Sequence, residues 1–171
     1  VIVPGMIEAH AHSLEGAFSM IPYVGWFDRH RVDGATSRGI RTYDALLERL
    51  REVDHETQGS SDPIVVGGFD PIYFTEEQRL TREHLDRVST DRPIFVFHAS
   101  AHLATVNTAM LDRHEITRNS PTPGVARDHN GEPNGELQEL PAMALAMSAL
   151  QVILRAMNDP AAIDALGHIG A

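Results

Sequence analysis

An α+β fold is what this sequence predicts, and three observations predict it. Short β-favouring apolar runs, Val1–Val3, Ile64–Val66 and Ile94–His98, are interspersed with segments of helical spacing, such as Arg41–Val53. A strong hairpin-turn signal, Asn130-Gly131, stands between two further candidate strands. The regular strand–helix alternation of a complete barrel is missing.

Taken in order, Val1–Val3 reads as a strand, and Pro4-Gly5 punctuates it before Met6–His12. Residues 13–40 are mixed in polarity and glycine-rich, which predicts loop with a short helix. In Arg41–Val53, Leu46, Leu47, Leu50 and Val53 fall on one helical face. Residues 54–63 form a polar loop. Ile64–Val66 should be a strand that stops at Gly67-Gly68. Thr75 and Gln78 have capping-box spacing for a short helix. Thr81 can cap another, with Leu85 and Val88 inward.

Pro93 precedes the strand Ile94–His98, and Thr105 to His114 should be helical. Ser120-Pro121-Thr122-Pro123 is a rigid turn. Gly124–Arg127 and Glu136–Leu140 flank the Asn130-Gly131 turn. Pro141 suits the first turn of a long helix to about Met157, and Asn158-Asp159-Pro160 restarts a last one. Both ends read as internal to a longer protein, because Val1 already lies in an apolar run and Ala165–Ala171 stop without a cap.

Composition bounds the function. The 171 residues are 42% hydrophobic and 22% charged, a globular balance with room for one core. The net charge of −10 argues against a nucleic-acid partner. No run approaches the roughly 18 apolar residues that cross a bilayer, so no membrane partner is expected. All 14 basic residues are Arg, and there is no Cys. Metal ligands must therefore come from the 10 His and 24 carboxylates, and cytoplasmic localisation fits the missing thiols.

The most pointed motif is His10-Ala11-His12. Residues i and i+2 of a strand face the same side. Two imidazoles so placed can hold one cation, and zinc suits them. No dinucleotide, P-loop or serine-elbow pattern competes.

The stretch Val3-Pro4-Gly5-Met6-Ile7-Glu8-Ala9-His10-Ala11-His12 resembles the first barrel strand of the amidohydrolase superfamily. Further segments, Val65–Asp70, Thr81–Asp86, Asp91–Val96, Ser100–Asn107, Asp128–Gly135 and Glu136–Glu139, resemble the amidohydrolase-3 (YtcJ-like) family in its own order. Two departures are Ala101, where the family commonly has Gly, and Phe69, where Trp is common.

The resemblance implies a TIM-type (β/α) barrel beside a β-sandwich, with an α+β insertion after the first strand. Residues 1–15 would be the first barrel strand. Residues 16–140 would be the insertion domain, and 141–171 helices leading back to the barrel. It implies His10 and His12 as metal ligands, Glu139 as a third candidate, and His102 and Asp70 as candidate substrate contacts. One or two divalent ions in the full-length protein, zinc by this resemblance, would activate water against an amide, formamide or cyclic amide. The general base and remaining ligands would come from later strands, since no Lys is present to carry a carboxylated bridge.

The partners implied are a small-molecule substrate and the rest of the barrel and β-sandwich, with homo-oligomerisation left open. Asn107 reads as a cap or packing residue, His98 as a core or edge histidine, and Asp70 equally as a turn acid. The alternative for the chain as a whole is a non-catalytic α+β lid or interaction module.

Overall fold

The computed structural model describes residues 21–31, 34–75 and 79–160. The strands expected at Val1–Val3 and Met6–His12, the helix expected around Gln78 and the one after Pro160 lie outside the described residues.

A five-stranded sheet organises the molecule. Its strands are β3 (Ile64–Phe69), β4 (Ile94–His98), β5 (Leu103–Val106), β6 (Val125–Arg127) and β7 (Pro133–Gln138), in the order β3-β4-β5-β7-β6. β3 and β4 are parallel, and every other pair is antiparallel. A separate two-stranded hairpin joins β1 (Arg29–His30) to β2 (Thr36–Ser37). The helices are α1 (Tyr43–Glu56), α2 (Arg82–Asp86), α3 (Thr108–Arg113), α4 (Glu139–Met143) and α5 (Met147–Met157).

Alternation along the strands divides the interior into two cores. Val65, Phe95, Ala104, Val106 and Leu137 pack with Met110, Met143, Ala149 and Ile153 of the later helices. Ile64, Val66, Ile94 and Val96 pack with Leu46, Leu47, Leu50 and Val53 of α1 and Leu85 of α2. The sheet is thus covered on both faces, which explains why its central strands read as continuous apolar runs. Each fully buried leucine of α1 contributes about 1.5–3 kcal/mol. Thr42 caps α1 by accepting the Ala45 N–H at 3.1 Å. Thr81 caps α2, with His84 Nδ1 returning to the Thr81 N–H at 3.1 Å.

Three local expectations need correction. β3 runs through Gly67-Gly68 to Phe69 and does not stop there. The glycines serve close approach: residues 21–25 bridge onto Gly67, and a Cβ there would lie 2.8 Å from Ile21 Cδ1. Thr105 and Val106 belong to β5, not to a helix, and helix α3 begins only after Asn107. The β-branched pair continues the strand and Asn107 supplies the cap.

The expected long C-terminal helix is two helices, broken at Ala144–Ala146. Pro141 does sit in the first turn of α4, where its missing N–H costs nothing. The break lets Ala142, Met143, Ala146 and Ala149 all reach one core. Of the stretch 13–40, residues 21–31 and 34–40 form an edge segment and the β1–β2 hairpin, and the rest, where the short helix could fall, lies outside the described residues. No helix among the described residues is long and apolar enough to cross a membrane.

Candidate functional site

The strand directions bring one set of chain reversals to a single end of the sheet. The C-terminal ends of β3, β4 and β7 meet the N-terminal ends of β5 and β6 there. This end carries Asp70, the Ala99–His102 loop, Gly124 and Glu139.

His102 and Glu139 come together across it. Leu103 pairs with Gln138 in the β5–β7 register, so His102 and Glu139 are the next pair outward. The Glu139 N–H donates to the His102 carbonyl at 2.7 Å, and His102 Nδ1 lies 3.0 Å from Glu139 Oε2. Both side chains are about two-thirds exposed, at 69% and 67%. They form an imidazole–carboxylate pair open to a ligand.

The backbone on both sides of this pair is constrained. Ala101 has φ 61° and Glu139 has φ 63°, both in the left-handed region that favours glycine. Non-glycine residues persist there only where their surroundings hold them. Gly124 supplies part of that hold. Its carbonyl accepts the Gln138 N–H at 2.8 Å, and at φ 92° a Cβ would lie 2.2 Å from the Gln138 carbonyl oxygen. Only glycine lets β6 start so close to the Glu139 reversal.

Beneath the pair runs a polar row on the α1–α2 side of the sheet. His98 is buried, and its Nε2 shares a hydrogen bond with Thr105 Oγ1 at 2.9 Å. Its ring stands edge-on to Phe69, 5.0 Å between centroids. His98 Nδ1 has no partner among the described residues. Burial, reinforced by the charge of Arg79, lowers the His98 pKa from 6.5 to about 4, so the ring is neutral at neutral pH. Glu136, also buried, is bound by Arg79 at 2.9 Å and by Gln138 Nε2 at 2.7 Å.

Asp70 is not brought onto the His102–Glu139 pair. It stands two strands from His102 and three from Glu139, roughly 10 Å and 14 Å at ordinary strand spacing. Its Oδ1 accepts the Ile72 N–H at 3.2 Å and caps the turn Pro71–Tyr73. Asn107 is a cap and packing residue: buried, it accepts from the Ile94 and Met110 amides. His10 and His12 lie outside the described residues.

Sequence reasoning passed over Glu136 and Arg79. Alternation puts Glu136 on the face opposite Leu137, but alternation alone cannot tell a solvated face from one covered by another segment. The left-handed backbone at Ala101 and Glu139 has no local signal in the residues themselves.

The described residues do not by themselves complete a metal centre. They include no group of three or more His, Cys, Asp or Glu able to hold an ion. His102 and Glu139 offer two donors of suitable chemistry, one short of the three protein ligands of a catalytic zinc.

A family model described as the amidohydrolase family matches residues 1–168. The chain belongs to the amidohydrolase family. It is 27% identical over 140 residues to the putative amidohydrolase YtcJ of Bacillus subtilis, covering 80% of this chain and 24% of that protein. It is 29% identical over 182 aligned positions to the N-substituted formamide deformylase of Arthrobacter pascens, covering 97% of this chain and 31% of that enzyme. A solved structure of an uncharacterized metal-dependent hydrolase from Pyrococcus horikoshii aligns with a TM-score of 0.49 and 21% identity, over 85% of this chain and 23% of that one. The chain therefore spans only about a quarter to a third of the length of the two curated relatives it matches.

Proposed function

We propose that this chain is a segment of a metal-dependent amidohydrolase that cleaves a non-peptide C–N bond of a small molecule, an amide, formamide or cyclic amide, with water as the nucleophile. One observation carries the reading. His102 and Glu139, singled out by sequence and 37 residues apart, meet at 3.0 Å in a chain whose family match spans nearly its whole length.

Residues 1–15 would form the first strand of a TIM-type barrel, 16–140 an α+β insertion over its mouth, and 141–171 the return. The sheet end bearing Asp70, His102 and Glu139 would face that mouth, since barrel chemistry sits at the C-terminal ends of strands. His10 and His12, with Glu139, would hold the divalent cation, zinc by donor type. When bound, it lowers the pKa of water and polarises a carbonyl.

The chain's own residues have separate tasks. His102 holds Glu139 through Nδ1 and so fixes which carboxylate oxygen is free. Its Nε2 is left to a substrate polar group. Asp70, engaged in its turn, would contact a substrate only at the far edge of the mouth. The remaining ligands and the general base lie beyond this segment.

The test uses the full-length protein. His10→Ala and Glu139→Gln should each lower bound zinc, measured by elemental analysis, and reduce hydrolysis of a panel of N-formyl and N-acyl amines by at least about 100-fold. Wild-type metal content and rate in both variants would overturn the assignment. The rival reading is a lid or contact module without catalysis. It predicts that Glu139→Gln leaves metal content unchanged.

A further inference from the structure

We propose that His98 and Thr105 form a buried clasp whose task is to hold the Ala99–His102 loop in its left-handed turn, and through it to position the His102–Glu139 pair. Three observations meet here. The β4–β5 ladder ends at Phe97 and Ala104, and the diagonal His98–Thr105 hydrogen bond on the covered face is the last side-chain tie before the loop. The loop contains Ala101 at φ 61°, and its turn closes on His98, whose carbonyl accepts the Ala101 N–H at 3.1 Å. The loop then ends on His102, whose carbonyl accepts the Glu139 N–H and whose ring meets the Glu139 carboxylate.

The choice of histidine is otherwise costly. A buried imidazole with Nδ1 unpartnered among the described residues is inferior, for stability alone, to an apolar side chain packed against Phe69. A strained turn one residue before a candidate site residue supplies the compensating role, because such a turn survives only if its base is fixed from outside. Thr105 is the partner the geometry provides. It is fully buried, and its hydroxyl sits on the α1–α2 face, away from Ala104 and Val106. The clasp is independent of catalysis; its relevance to hydrolysis rests on the function proposed above.

Thr105→Val is the test, since it removes the hydroxyl and keeps the shape. Amide hydrogen exchange is followed residue by residue on the full-length protein. The Glu139 N–H, which reports the His102 contact, should lose about tenfold protection relative to the Ile94 N–H, which is tied to Asn107 at the opposite end of the sheet. Thr105→Ser should restore it. Ala101→Gly, placed in the Thr105→Val background, should also restore it, because glycine needs no clamp to hold the turn.

Equal loss at Glu139 and Ile94, or no loss at either, would overturn the clasp. So would failure of Ala101→Gly to rescue. His98→Phe gives a second route to the same readout if Thr105→Val does not fold. If exchange follows the expectation while Thr105→Val leaves hydrolysis by the full-length protein unchanged, the clasp stands and it is the active-site role of His102 that falls.

Discussion

The two ends of the sheet solve opposite problems. At one end Asn107 is buried and spends every hydrogen-bonding group: Oδ1 accepts from Ile94 and Met110, and Nδ2 donates to the carbonyls of Ser89 at 2.8 Å and Arg92 at 2.9 Å. At the other end His102 and Glu139 are exposed, two non-glycine residues sit in the left-handed region, and the buried His98 leaves a nitrogen without a described partner. The first end is built for stability. The second gives up stability to hold polar groups in the open, which is where chemistry is usually placed.

The contrast can be broken most forcefully at the stable end. Asn107→Ala strands the buried Ile94 amide, takes the side-chain donor from the half-buried Ser89 and Arg92 carbonyls, leaves Met110 only its bond to the residue-107 carbonyl, and should cost about 2–3 kcal/mol in denaturant unfolding. Loss of less than about 1 kcal/mol would remove the distinction between the ends.

The pH dependence comes next. A histidine whose folded pKa lies near 4, below its unfolded 6.5, contributes stability that is complete above pH 6.5 and disappears as pH falls through 4. The expected loss across that window is about 3 kcal/mol, and His98→Phe should flatten it. An unchanged slope in the variant would show that the ring is not buried neutral.

Smaller effects sharpen the other side. Ala101→Gly should stabilise the chain by about 1 kcal/mol, because it releases a left-handed alanine. Destabilisation would mean that the turn is not strained. His102→Ala should change stability by no more than about 0.5 kcal/mol, since an exposed polar contact of this kind contributes little. A larger loss would make this pair a structural element.

The sequence was most legible where the physics is local. The leucine spacing of α1, the Thr81 cap, the strand after Pro93 and the Asn130-Gly131 turn all follow from periodicity and turn chemistry. That turn is closed by Asp128 Oδ1, which accepts from Asn130 at 2.8 Å and Glu132 at 3.0 Å. Legibility failed where a distant segment decides. Gly67-Gly68 reads as a stop, but residues 21–25 need the space those glycines leave. Thr105 looked helical because the run that follows is helical, yet β4 claims it.

The candidate site divides in the same way. Residue type and order, with the family resemblance, marked His102 and Glu139, and the β5–β7 register put them in contact. Asp70 was equally marked, but the sheet sets it two strands off.

By itself, then, the sequence determined the α+β class, the capped and punctuated elements, and the inventory of side chains with donor atoms, because these depend on residue type and on neighbours within a few residues. Only the tertiary structure decided which of them meet, which carboxylate is covered, and where the backbone is strained. Those outcomes depend on strand register and on packing between segments far apart in the chain, and no local pattern encodes either.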